Sequence, residues 1–439
     1  MPHTPWRAPW CALRRAALGL AAAAGFAGTA LAAVPVTVTL WSWSPVTPTM
    51  KAMVAAIEKK HPDIRIRATI QPHTAYFTAL KAASASGTLP DIVGLTPGNY
   101  TQQTRPHLLA LDQVAAAAWG KAWQKHFAPA LLTQARLGNP AGDTHFYMLP
   151  MEAEVLNFWM NRAAFAKAGL KAPPASFAQL VADAAKLRKA GLIGMYQGGA
   201  TGLFDNWVYM QIAAQTDLPD LLAAETGHPV WTKPGMIAAA KVWGELFTKH
   251  VVQDGALSAL QYPTGANLFA AGRVGMMSLG SWWLQNTHLS ADPALKTMSG
   301  YEKFFFPALK AGGKASPPLG GIDVGWGITK TAAKSAAVEH ATAIVFKELV
   351  SGAGEQVALN QLNDLPAFDG LRPQGTMPPA VQKLYDSYIK ELATAHPHQI
   401  GNPVIYQALI SNLQAIGAGT KTPAAAMAAV QAVAQAQAK

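Results

Sequence analysis

Residues 265–283 read GANLFAAGRVGMMSLGSWW, and the alternation of elements and breakers within them points to an open α/β sheet. Asn267 to Ala271 carry a helical pattern, Gly272 and Arg273 form a turn, and Val274 to Leu279 are an apolar run short enough for a buried strand. Gly280 breaks that strand and leaves Ser281, Trp282 and Trp283 at its carboxyl end. Ligands bind at that end in open α/β sheets. Paired indoles often belong to a core, yet a Gly-Ser-Trp-Trp corner in this position predicts a binding platform.

Toward the amino terminus the same grammar repeats. Val36 to Leu40 (VTVTL) is a β-branched strand that ends in Trp41-Ser42-Trp43-Ser44-Pro45. Thr47-Pro48 starts a helix that runs from Met50 to Lys60, and His61-Pro62-Asp63 stops it. Ile64 to Ile70 (IRIRATI) alternates as a strand. A helix from Tyr76 to Ser86 leads through Gly87 and Pro90 into the strand Asp91 to Leu95, which ends in Thr96-Pro97-Gly98-Asn99. Strand, helix, strand, helix, strand implies a parallel sheet with covering helices. Further along, Val155 to Met160 and Ile193 to Gln197 read as strands, Phe204 to Gln215 as a helix carrying Trp207, and Phe304 to Pro307 as a strand. Gly320 and Gly321 read as a turn before a short strand that reaches Ile328.

The quoted stretch resembles the "helix, Gly-Arg turn, apolar strand, Gly-Ser-Trp" segment of family 1 extracellular solute-binding proteins. These are the sugar-binding subunits of ABC importers, and they include the maltose-binding proteins. Other segments follow in that family's order: LWSW after the first strand, KKHPDI before the second, SGTLPDIV before the third, and FAKAGLKAPPASFAQLVADAAKL with Ser176 as helix cap. Trp159-Met160-Asn161 stands where the family has Tyr-Asn, a mild departure. The resemblance implies an α/β, two-lobed periplasmic binding protein fold of type II, with a ligand cleft between lobes joined by crossover segments. On this reading residues 34–143 and 289–334 build the first lobe, and 144–288 and 335–439 the second. It also implies that the protein is no enzyme and binds a sugar or oligosaccharide without a cofactor. A monomer that hands its ligand to the membrane permease subunits of an ABC transporter is expected.

Composition agrees with this class. At 439 residues the chain exceeds what one core serves well, and its 50% hydrophobic content excludes disorder. Residues 1–33 have the plan of a secretory signal peptide: Arg7, Arg14 and Arg15, then an apolar run from Ala16 to Ala30, then a small-residue cleavage site at Ala30-Leu31-Ala32. The run is too short to span a bilayer. Cys11, the only cysteine, lies inside this signal, ahead of the apolar run, so the mature chain has no disulfide framework, thiol nucleophile or cysteine metal site. The periplasm is the expected location. Losing three arginines takes the net charge from +11 to about +8, 32 basic against 24 acidic residues. The sequence shows no basic stripe interleaved with aromatics, so no nucleic-acid partner is expected.

A sugar ring offers an apolar face of C–H groups that an indole covers, and a rim of hydroxyls that need donors and acceptors. Aromatic and polar residues at strand ends therefore make the candidate ligand set. It comprises Trp41, Ser42, Trp43, Thr96, Asn99, Glu152, Asn206, Trp207, Ser281, Trp282, Trp283, Gly320, Gly321 and Asp323. Trp41 and Trp43, two apart at a strand end, share one face of the pleat. The resemblance implies Glu152 as the acid of a turn near the ligand, and Gly320 and Gly321 as a turn whose backbone approaches it. Trp119, Trp123, Trp231 and Trp243 fall in helical or linker pattern and read as packing. The competing class is a secreted glycoside-acting enzyme in which Glu152 and Glu154 pair as acid and base. No H-E-x-x-H, G-x-S-x-G, P-loop or dinucleotide fingerprint occurs, and neither a metal site nor a catalytic residue is expected. Within the binding class the alternative ligands are a polyol, a glycerophosphodiester or a cationic metabolite. A phosphate would want converging arginines, which the cleft segments lack.

Overall fold

The computed structural model describes residues 34–310 and 312–438. The signal-peptide reading of 1–33 falls outside these residues. Residues 35–439 cluster as one compact unit.

Nine strands form one sheet: β1 (Val36–Ser42), β2 (Ile64–Ile70), β3 (Ile92–Leu95), β4 (Leu149–Asn161), β5 (Ile193–Tyr196), β6 (Val274–Gly280), β7 (Tyr301–Phe304), β8 (Leu319–Ile328) and β9 (Leu365–Pro366). The order is β2-β1-β3-β8-β4-β6-β5, with β7 and β9 also paired to β4. β1 lies parallel to β2 and β3, as the opening strand–helix–strand pattern requires. In β2, Ile64 and Ile66 are buried while Arg65 and Arg67 are exposed, so the alternation in IRIRATI is a real inside–outside pattern. The helix Thr47–Lys60 carries Pro48 in its first turn and buries Met50, Met53 and Ile57 against the sheet. Ser176 caps the helix Phe177–Lys189 through its hydroxyl, which accepts from the Gln179 amide at 3.2 Å.

β4 organises the molecule. All of its 13 residues are buried. Its first part pairs with β8, from Leu149 opposite Trp326 to Leu156 opposite Leu319. Its second part pairs with β6, from Leu156 opposite Gly280 to Met160 opposite Met276. The register with β8 slips on either side of Glu152. β4 thus links the β8 side of the sheet to the β6 side within one hydrogen-bonded strand.

Two apolar cores flank the sheet. The first gathers β1, β2, β3 and the start of β4, and continues beneath β6 through Phe269, Met277, Trp283 and Tyr301. The second joins Phe158, Met160 and Met276 to the helices Leu203–Thr216, Pro234–Thr248, Pro403–Gly417 and Pro423–Gln437.

The helices of the C-terminal third divide between the two cores. The helix Ala336–Ser351 packs on β1, and Ala353–Leu362 packs on Thr47–Lys60, both in the first core. Only the last two helices belong to the second core. Burial decides this, because Val345, Phe346, Leu349 and Ala358 complete the face that β1 and its helix leave open. The strand expected at Phe304 to Pro307 ends at Phe304, where Phe306 turns into the second core and Pro307 has no amide to donate. Among the described residues no helix is long and apolar enough to cross a membrane.

Candidate ligand-binding site

Gly280 ends β6, and Ser281–Gln285 winds into a 3-10 turn. That turn sends the two adjacent indoles to different places. Trp283 is 3% exposed and packs between Phe269 and Tyr301, with ring centroids 5.5 and 6.1 Å away. Trp282 is half-buried and packs against both cores. Its ring lies back over Gly280, where a Cβ would run into it, so glycine is the residue that lets the indole fold this way. Its Nε1 donates to the Tyr262 hydroxyl at 2.7 Å, and its ring meets Trp207 at 5.6 Å with a 53° tilt.

Trp207 comes from the first turns of Leu203–Thr216. It also touches Phe204 edge-on at 5.1 Å and the imidazole of His398 at 5.7 Å. His398 Nε2 lies 2.7 Å from Glu154 Oε1, and both residues are buried. Burial pushes the Glu154 carboxyl well up and the His398 imidazole down to about 4. Both effects favour an uncharged pair in which the carboxylic acid donates to Nε2. Asn206, beside Trp207, is fully buried with neither amide atom partnered.

Glu154, Asp323 and Glu152 then lead inward along β4 and β8. Asp323 is half-buried, and burial with Glu154 nearby raises its carboxyl well above the aspartate range. Glu152 is 0% exposed, with both oxygens unpartnered. Burial raises it too, and the carboxylates of Asp364, Glu355 and Asp323 raise it further. None of Phe204, Tyr262, His398, Glu355 and Asp364 was in the sequence-derived set. His398 lies 244 residues from its partner, and Asp364 precedes a two-residue strand, so neither leaves a local motif.

The remaining sequence candidates have local geometries. Ser42 is buried and donates to the Ser44 carbonyl at 2.6 Å. Trp43 packs among His73, Tyr76 and Phe77 at 4.8–5.8 Å, while Trp41 is half-buried at the end of β1 and its carbonyl accepts from the Tyr76 hydroxyl. The Thr96 carbonyl accepts from the Thr101 hydroxyl, and Asn99 accepts from Gln103 one helical turn on. The Ser281 hydroxyl accepts from the Val155 amide at 3.2 Å, tying β6 to β4.

Gly320 and Gly321 stand inside β8 rather than in a turn. What approaches them is the chain itself. The Gln134 amide donates to the Gly320 carbonyl at 2.9 Å and accepts from the Ile322 amide at 3.0 Å, filling the space a Cβ would need at Gly321.

Two α/β lobes on a shared sheet, with aromatic and acidic groups converging where the crossover strands meet, define a two-lobed solute-binding protein. The chain belongs to the bacterial extracellular solute-binding protein family, whose model matches residues 43–357. Proteins of Brucella abortus and Brucella suis described as binding proteins are 31% identical over 154 residues, 35% of this chain; the match spans 37% of their length. Among solved structures, a chitin oligosaccharide binding protein superposes with a TM-score of 0.74 at 22% identity, covering 92% of this chain and 98% of its own. The maltose-bound MalE3 of T. maritima gives 0.75 at 16%, covering 92% and 100%. The GacH receptor of Streptomyces glaucescens gives 0.69 at 20%, covering 91% and 97%.

Proposed function

We propose that this protein is the substrate-binding subunit of an ABC importer, and that in the periplasm it holds a saccharide between its lobes and passes it unchanged to the permease. The observation that carries this reading is the Trp207–Trp282 pair, set beside Tyr262, Glu154 and Asp323. Indole faces cover the C–H side of a sugar ring while acids and a phenol serve its hydroxyls. The similar solved proteins, which bind chitin oligosaccharide, maltose and acarbose, point the same way. A ligand touching both lobes stabilises the closed arrangement, and bending at β4 and β8 is the motion it selects.

Hydrolysis by a Glu152–Glu154 pair fits the geometry less well. Glu152 is sealed from solvent and Glu154 is held by His398. A phosphodiester fits poorly as well, because the ionisable groups beside Tyr262 and Trp282 are the acids Glu154 and Asp323. The test is a thermal-shift screen of the mature protein against mono- and oligosaccharides, with chromatography of the ligand afterwards. A saccharide that raises Tm, is recovered intact and loses its effect in Trp282→Ala supports the reading. Recovery of cleaved sugar, or a response to phosphodiesters alone, overturns it.

A further inference from the structure

No hydrogen bond tethers the Trp207 indole. Its Nε1 has no partner, whereas Trp282 is held through Nε1 by Tyr262, and Trp159 through Nε1 by the Gly280 carbonyl at 3.1 Å. The orientation of Trp207 therefore depends on the rings around it. Three meet it: Phe204 at 5.1 Å, Trp282 at 5.6 Å and His398 at 5.7 Å. Phe204 lies one turn back on the same helix, Leu203–Thr216, and moves with Trp207. Trp282 is the half-buried indole that Trp207 itself has to back. His398 is the support that arrives from a distant part of the chain.

His398 is held on every side. Its backbone hangs between fixed points. The His396 amide donates to the Pro318 carbonyl at 3.0 Å, and the Gly320 amide donates to the His396 carbonyl at 2.8 Å, which lays this segment along the start of β8. Further on, the Gly401 amide donates to the Glu225 carbonyl at 2.9 Å. Between these anchors Pro397 fixes its own φ and stiffens the span. The buried ring is then turned to one orientation by Glu154, which reaches Nε2 at 2.7 Å from within β4. The Gln399 amide approaches the same nitrogen at 3.3 Å. Two donors on Nε2, the carboxylic acid and the amide, fit the tautomer whose hydrogen sits on Nδ1.

We propose that His398 is a positioning residue: oriented by its bond to Glu154, its imidazole holds the Trp207 indole in the tilt that backs Trp282 at the sugar. This rests on the saccharide reading above. The imidazole meets the indole at 65°, edge to face, and such a contact resists tilting of the indole in a way that an aliphatic side chain does not. Being fully buried, His398 works through Trp207 and leaves the contact with sugar to Trp282. Three separate parts of the chain, β4, the helix Leu203–Thr216 and the segment along β8, thereby fix one indole.

The experiment reads the indole pair directly in the mature, unliganded protein. Two indoles this close give an exciton couplet in far-ultraviolet circular dichroism, isolated as the difference between each protein and its Trp282→Phe form. His398→Gln keeps an amide near the place of Nε2, and with it the bond to Glu154, but removes the ring. It is expected to stay folded by Tm, to lose at least about half of the couplet, and to bind chitotriose or maltotriose about tenfold more weakly in calorimetry, the scale of one aromatic pair. An unchanged couplet overturns the proposal, and so does a lost couplet with unchanged sugar affinity. His398→Phe returns a ring without the bond and should recover only part of the signal; full recovery overturns the role given to Glu154. If the wild type binds neither sugar while the couplet still falls in His398→Gln, the saccharide reading is overturned and the hold of His398 on Trp207 stands.

Discussion

In the unliganded protein, Asp364→Asn flattens the dependence of thermal stability on pH. Burial, with Asp323 nearby, pushes the Asp364 carboxyl from its usual 3.8 to about 8. The fold therefore holds a proton that the unfolded chain releases. That stabilisation is complete below about pH 4 and is lost as pH rises through about 8, so the wild type weakens across this window. Each retained proton tilts the unfolding free energy by about 1.4 kcal/mol per pH unit. The whole interval amounts to roughly 5–6 kcal/mol, an upper limit because relaxation and water penetration soften burial penalties. Roughly 400 folded residues at about 2 cal/mol/K each give an unfolding entropy near ~0.85 kcal/mol/K, so one proton corresponds to about 1.6 °C per pH unit. Asparagine keeps the shape and cannot ionise. Scanning calorimetry at pH 5, 6, 7 and 8 should show the wild-type Tm falling more steeply than the variant's, the gap changing by about 5 °C over the range. Parallel curves would refute the claim that Asp364 stays protonated in the fold.

Trp283→Ala opens a cavity between Phe269 and Tyr301 and should cost about 3–5 kcal/mol in a denaturant titration, while ligand Kd in the folded fraction changes less than about threefold. A large affinity loss there would mean the two indoles have been assigned to the wrong sides. Gln134→Ala leaves the Gly320 carbonyl and the Ile322 amide without partners; a loss of about 2–4 kcal/mol, read as a lower urea midpoint with an unchanged slope, is expected. Intact-mass measurement of protein recovered from the periplasm should show a chain beginning at Ala33 or Val34, and retention of residues 1–32 would remove the signal-peptide reading.

Much of the fold was legible because its signals are local. The alternation in IRIRATI, the Thr47-Pro48 helix start and the Ser176 cap each depend on residues a few positions apart. The site was less so, because its geometry depends on separation. Nothing near Trp282 and Trp283 says that a 3-10 turn will aim one at Trp207 and the other at Phe269. The glycine pair at Gly320 looked like a turn because the residue that fills its space, Gln134, lies 186 positions earlier. The acids at positions 152, 154, 323, 355 and 364 share no motif, being carried by β4, by β8, by the helix Ala353–Leu362 and by the residue before β9.

The uninterrupted course of β4 also bears on how such a protein can change over generations. Neither apolar core is a contiguous stretch of chain, since Ala336–Ser351 and Ala353–Leu362 return to the first core before the last two helices complete the second. A recombination event that imported one lobe from a relative would have to bring a strand half belonging to the other, together with several distant segments. Drift in ligand preference is therefore expected to come through point substitutions around the crossover strands, with the scaffold passed on whole.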